Sequence, residues 1–230
     1  SSWDLNYQDI ARQKLWEADF DSLLAINQVP QFNTIRFGND HTSGMARGAY
    51  TPQAAVADND LAVGRFVDHL SHSPIWSESA IFIIEDDAQN GPDHVDAHRS
   101  IAFVVSPYTR RKFVDHTHYT GSSMLRTMEL ILGLPPMSQY DASAIPMYRS
   151  FTNIPDFRPF NFIQNLVSID ERNVVTNELS KKSETFNLAE LDAVPEKEFN
   201  EVLWKGIKGL DAEMPAPRRS AFVFELDKKD

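Results

Sequence analysis

The chain has 230 residues, 42% of them hydrophobic and 24% charged, the composition of a soluble globular domain large enough to bury a sizeable core. A formal net charge of -11 disfavours a nucleic-acid groove or an anionic membrane surface, both of which attract clustered Lys and Arg, and suits divalent cations better. With no cysteine there are no disulfides, zinc-thiolate sites or cysteine nucleophiles, and no stretch approaches the ~20 apolar residues of a transmembrane helix.

In chain order, Leu15, Phe20, Leu23 and Leu24 recur at helical spacing between Ile10 and Leu24, with Pro30 following as a stop, and predict a first helix. Phe32 to Phe37 is a short strand candidate ending at Gly38. The loop GNDHTSGMARGAYTP precedes a second helix with Val63, Phe66, Val67 and Leu70 on one stripe, and Asp58 or Asn59 as its early polar face or its cap. Ala80 to Ile84 (AIFII) is a continuous apolar run, the pattern of a strand buried on both faces of a mainly parallel sheet, and it ends abruptly in Glu85, Asp86 and Asp87.

Ile101 to Val105 (IAFVV) predicts a second buried strand closed by Ser106, Pro107 and Tyr108. A helix from about Ser122 to Leu132 follows, with Leu125, Met128 and Leu132 in phase and Gly133 then Pro135 as punctuation. Beyond Phe151 the prolines and aromatics Pro155, Phe157, Pro159, Phe160 and Phe162 predict an extended strap over the core. After the polar run DERNVVTNELSKKSE, Pro195 starts a last amphipathic helix carrying Phe199, Val202, Leu203 and Ile207, ended by Gly209. This order of helices and strands predicts α/β layering.

Ligands of open α/β sheets bind beyond the carboxyl ends of the strands, which is where Glu85, Asp86 and Asp87 fall. Neighbouring carboxylates at a strand end repel one another and raise their pKa values unless a cation sits among them, although a solvated loop mouth also shows such acids. GPDHVDAHRS packs Asp93, His94, Asp96, His98 and Arg99 into one loop, and Asp40 and His41 form an earlier Asp-His pair. Such residues can bind a metal, orient a ligand, protonate a leaving oxygen or, for Arg99, fork onto a phosphate. His116 and His118 alternate along an extended segment and face one way, whereas His69 and His72 read as surface residues.

The stretches NDHTSG, ADNDLAVGRFVDHLSHSPIW, AIFIIEDDAQNGPDHVDAHR, VVSPYTRR and SSMLRTMELILGLPPM, with the later WKGIKGLDAEMPAP, resemble the phosphoesterase family that groups bacterial phospholipase C and acid phosphatases. The likeness is greatest to members attached behind a β-propeller of YVTN repeats. This resemblance implies the alkaline phosphatase superfamily, with its three-layer α/β/α sandwich, and metal-dependent hydrolysis of phosphate esters by a hydroxyl nucleophile. It puts the metal on Asp86 and Asp87 and catalytic roles on His41, His94 and Arg99. Asp40, Asp93, Asp96, His98, His116 and His118 are then further ligands or groups that orient the ligands.

Where two-metal relatives carry an Asp-His pair this chain has Asp86 and Asp87, and a later histidine position falls near Gly121, so the resemblance implies one divalent ion, Mn, Zn, Ca, Mg or Fe. It also implies that the nucleophile and the first metal ligands belong to an amino-terminal segment of the same protein that precedes this chain, so the 230 residues by themselves are expected to be inactive. On this reading residues 1–151 are the carboxyl-terminal part of the catalytic domain, and 152–230 a strap and terminal helix packed on it. The start SSWDLNYQ has no basic-then-apolar signal pattern, and relatives place the protein in the periplasm, at the cell surface or outside the cell. The same residues are compatible with a sulfatase or phosphonate hydrolase of that superfamily, or with a non-catalytic surface-associated module holding a structural ion or none.

Overall fold

The structure is a computed structural model that describes residues 3–88, 91–190 and 193–219. Helix α1 (Asp9–Ala25) forms where the sequence predicts it, but its first turn is capped from elsewhere. Gln8 at its start supplies no side-chain cap; instead Asp58 of the next helix accepts the backbone N–H groups of Asp9 (2.5 Å) and Ile10 (3.2 Å). The inward face of α1 is aromatic. Trp16 stacks on Phe20 with ring centroids 5.0 Å apart and meets Phe66 edge-on at 4.5 Å, while Leu15 is 63% exposed. The helix ends at Ala25, before Pro30, with Asn27 at a φ of 55° turning the chain.

No strand forms at Phe32–Phe37. Phe32 is exposed, and the segment is held by side-chain contact, the Arg36 guanidinium lying 5.2 Å from the Trp3 ring centre. An extended apolar segment becomes a strand only with a partner edge, and none lies beside it among the described residues. Helix α2 (Pro52–Ser71) starts earlier than its apolar stripe suggests: Thr51 caps it by accepting the Ala54 amide at 3.1 Å, with Pro52 in the first turn. Asp58 and Asn59 are therefore interior helix residues, not its cap.

Strands β1 (Ile81–Ile84) and β2 (Ala102–Val105) pair antiparallel, with Ile81 opposite Val105 and Ile84 opposite Ala102. A parallel arrangement needs a crossover, usually helical, and the described residues between the two strands form no helix. The two strands form a two-stranded sheet rather than a strand buried on both faces. Ile81 packs with Val67 and Trp76 in the main core cluster, with Phe66, Leu70, Ile83, Val105 and Phe160 around it. At the other end of the hairpin Ile84, Ile101 and Phe103 remain about half exposed.

The strap crosses this core. The Phe160 amide donates to Ser71 Oγ at 2.9 Å, the Phe162 amide to Asp68 at 2.8 Å, and the Arg111 guanidinium lies 4.2 Å from the Phe160 ring centre. Helix α3 (Gly121–Leu132) opens with a Thr120–Ser123 capping box and closes on Gly133 at a φ of 69°. Two short helices have no counterpart among the predicted elements, α4 (Gln139–Ser143) and α5 (Glu178–Ser183), the latter opened by an Asn177–Ser180 capping box inside the polar run. Helix α6 (Glu196–Lys208) follows Pro195, buries Phe199 and Val202, and packs against α5. The result is a set of helices around one small sheet, compatible with the α/β class.

Candidate functional site

The loop after residue 38 is built from below by buried acids. Asp9, fully buried, accepts the amides of Gly38 (3.1 Å) and Asn39 (2.8 Å) and the Asn59 side-chain amide (3.1 Å), and pairs with Arg12 at 2.7 Å. Asp58 takes the Asn39 side-chain amide at 2.8 Å in addition to the two α1 amides. Burial pushes the Asp58 carboxyl above its ordinary range, against the lowering effect of these hydrogen bonds. Asn59 also donates to Asp40 at 3.0 Å, so one helical turn of α2 positions both the buried and the outward-facing acid.

From this platform Asn39–His41 makes a single 3-10 turn, and Thr42 follows at φ 61°, ψ 168°. That is a costly backbone for a β-branched residue, and Thr42 is held there by burial and by accepting the Gly44 amide at 3.0 Å. Gly44, at φ 59°, sits where a Cβ would lie 2.9 Å from Ser183 Oγ and 3.1 Å from the Phe199 ring. The loop is thus clamped onto α5 and α6. His41 is fixed by the same contacts: its ring stacks on Phe199 at 5.4 Å and meets Trp3 edge-on at 5.2 Å. Its Nδ1 lies 3.1 Å from the Thr42 carbonyl oxygen, an atom that only accepts, so Nδ1 is the donor of this bond.

Asp40, His41, Glu85 and Asp86 share one electrostatic neighbourhood. Desolvation pushes the Asp40 carboxyl up, with the Asp9 and Asp86 charges adding to it and the loop amide and His41 partly offsetting it. Desolvation followed by the charges of Asp40 and Asp86 raises Glu85. Asp86 itself is open to solvent, its side chain 77% exposed, and its nearest cation is Arg36 at 3.3 Å. Its other oxygen accepts the Asp87 amide at 3.2 Å. The mouth of β1 is therefore a carboxylate set with little positive charge, next to the turn that carries His41.

The 93–99 loop is organised differently. Asp93 accepts the amides of Val95 (2.6 Å) and Asp96 (3.0 Å) and pairs with Arg99 at 3.0 Å; the amide bonds first, then the arginine, hold its carboxyl below the usual range. The buried Asp96 accepts both the amide and the Nδ1 of His98, at 2.9 and 2.8 Å, and an Asp96–Arg219 bridge ties the loop to the chain's last described residue. Arg99 and His98 thus face partners within their own loop, and His94 stands exposed. His116 lies on a separate segment, along a cavity with two arginines.

The chain was compared with protein-family models, with curated proteins and with solved structures. None matches. The functional reading accordingly rests on residues and geometry. Among the described residues, three donors whose ligand atoms all lie within 4.8 Å of one another are found at Glu17, Asp21 and His69 between α1 and α2; Asp86 and Asp87 are not in such a group. His69 Nε2 is 2.7 Å from Asp21, and its ring is held edge-on against Trp16 and Phe20. Sequence reading placed His69 at the surface and passed over Arg36 and Asp9; the acids Glu17 and Asp21, one helical turn apart on α1, were the available signal for the His69 group.

Proposed function

We propose that this chain is the acidic, metal-holding part of a phosphoesterase of the alkaline phosphatase superfamily that hydrolyses phosphate esters. The observation that carries the reading is the carboxylate set of Asp40, Glu85 and Asp86 at the end of β1, where desolvation and neighbouring charge raise the pKa values of Asp40 and Glu85 beside the turn that carries His41. The donor chemistry fits a divalent cation: the carboxyls of Asp40 and Glu85 are raised by desolvation and mutual repulsion, a penalty that a cation held by Asp86 and Asp87 relieves. When bound, such an ion supplies Lewis-acid activation of an attacking hydroxyl and of the phosphoryl group.

His41 accepts a proton through Nε2 from the attacking group and, once protonated, returns it to the departing oxygen. Thr42 keeps the ring in register by accepting from Nδ1, and Phe199 and Trp3 block its rotation. Arg36, already beside Asp86, is the cation nearest the phosphate position. Arg99 and His94 act from the neighbouring loop, where Asp93 orients Arg99. Asp96 with His98, on the same loop as Arg99, completes the surroundings of the site. The hydroxyl nucleophile comes from an amino-terminal segment of the same protein, carried in relatives behind a β-propeller, that adds to the sheet. The half-exposed Ile84, Ile101 and Phe103 at the open end of the β1–β2 pair support such an addition, which completes the three-layer sandwich.

The test is hydrolysis of an aryl phosphate by the intact protein with Mn, Zn, Ca, Mg or Fe(II) added in turn. Loss of turnover in Asp86→Asn with Asp87→Asn, and in His41→Gln, supports the reading; turnover equal to the parent in the double variant sinks it. Calorimetry on the same proteins separates the alternatives. Metal binding that survives the double variant and disappears in His69→Gln puts the ion at the α1–α2 group and favours a non-catalytic module. Turnover of sulfate or phosphonate esters in preference to phosphate esters assigns the other superfamily chemistries.

A further inference from the structure

Away from the acidic mouth, a cavity of about 620 Å³ opens between the segment after β2 and residues 148–151, with Arg110, Phe113, Val114, Asp115, His116 and Arg149 along it. Its two sides are fastened by backbone. The Arg110 amide donates to the Ser150 carbonyl at 2.9 Å and the Thr152 amide to the Tyr108 carbonyl at 2.8 Å, on either side of a Thr109–Phe151 bridge. Arg110 is oriented from behind, its Nε donating to the Phe151 carbonyl at 3.1 Å and its guanidinium lying 5.2 Å from the Phe113 ring centre. Both of its terminal nitrogens lack a protein acceptor among the described residues. Arg149 spends one nitrogen on a long, 3.4 Å bond to Thr117 Oγ1.

Neither arginine has a carboxylate within ion-pair distance among the described residues, although acids outnumber bases 33 to 22 in the chain. The one acid in the cavity, Asp115, is occupied: it accepts the Thr117 amide and the Tyr119 hydroxyl, each at 3.0 Å. Two guanidinium groups thus lie with one committed carboxylate along an open hollow whose apolar side is Phe113 and Val114, 44% and 71% exposed.

We propose that this cavity binds a small organic oxyanion, a carboxylate or phosphate carried on a compact aromatic or branched apolar body. Free guanidinium forks match the paired oxygens of such head groups, and the apolar wall takes the body. The volume lies within the range of small-molecule sites, about 300–1,000 Å³. Two fixed cations against one carboxylate favour a singly charged head, hence carboxylate over dianionic phosphate. The site is separate from the Asp86 region and does not depend on a phosphoesterase reading.

The experiment is calorimetric titration of the whole chain with benzoate and with phenyl phosphate, with benzamide and inorganic phosphate as controls. Saturable binding of benzoate at least as tight as that of phenyl phosphate is expected, with benzamide and inorganic phosphate each weaker by about tenfold or more. Arg149→Gln weakens benzoate by about tenfold with an unchanged melting temperature, Arg149→Lys by less, and Arg110→Gln gives an independent loss. Asp86→Asn with Asp87→Asn leaves benzoate binding as it was. Phenyl phosphate clearly tighter than benzoate would show that the head is a phosphate and overturn the preference for carboxylate. Equal binding of benzamide, no saturation, insensitivity to both arginine substitutions, or loss in the Asp86 and Asp87 variant each overturns the site.

Discussion

Two acid-rich regions meet near residue 40, and they treat the same side chain in opposite ways. Below, Asp9 and Asp58 are buried, and between them they accept seven hydrogen bonds from backbone and side-chain donors of α1, α2 and the 38–39 turn. Above, Glu85 and Asp86 are exposed, Asp86 meets Arg36 at 3.3 Å, and Asp40 stands between the two regions with a raised pKa. A carboxylate surrounded by donors is a structural joint; one facing other carboxylates is a latent cation or proton site. Residue type does not separate the two roles, whereas the donors within reach do.

Breaking the lower region should have the largest effect. Asp58→Ala leaves the amides of Asp9 and Ile10 and the Asn39 side chain without their acceptor, and is expected to cost about 3 kcal/mol, read as a lowered urea midpoint at unchanged slope. Gly44→Ala combines a left-handed backbone with a Cβ 2.9 Å from Ser183 Oγ. A loss of about 2 kcal/mol is expected, together with a shifted His41 imidazole resonance because the same loop holds that ring.

Asp40 sharpens the comparison because its sign is reversed. Its folded pKa lies above the unfolded value, so the folded chain binds the proton more tightly. Stability is then full below the unfolded carboxyl pKa, about 4, and is lost as pH rises through the folded value. Asp40→Asn keeps an oxygen for Asn59 and removes the charge. Urea midpoints should show the variant more stable than the parent at pH 7, with the two converging towards pH 4. Adding a divalent cation that binds the mouth should narrow the difference at pH 7. The smallest stability change belongs to the upper region: Asp86→Asn with Asp87→Asn should move stability by no more than about 0.5 kcal/mol, since Asp86 is exposed and its arginine pair is long. A loss of several kcal/mol there would mean that the mouth is a joint like the one beneath it.

Much of the framework was legible because its signals are local. Gly133, and Pro195 with Gly209, punctuated two helices through backbone conformation, whereas the Thr51 and Thr120 caps came from the structure. The AIFII and IAFVV runs marked both strands, and the acids after the first were visible as a cluster. Pairing direction was not legible, because a run of apolar residues carries no record of which way its neighbour runs. Phe32–Phe37 shows the same limit: the residues suit a strand, but no edge stands beside them. The cavity arginines were hidden for a related reason, since Arg110 and Arg149 come together only through the Thr109–Phe151 bridge.

By itself the sequence determined that the four longer helices and the two strands exist, and where acids and histidines gather, because each depends on residues within a few turns. Only the tertiary structure decided that Asp58 caps a helix begun 49 residues earlier, that Asp93 is spent on Arg99, and that desolvation and neighbouring acids raise the pKa values of Asp40 and Glu85. Hydrogen-bond donors and desolvation are supplied by neighbours in space, and they set whether a carboxylate is a joint or a site.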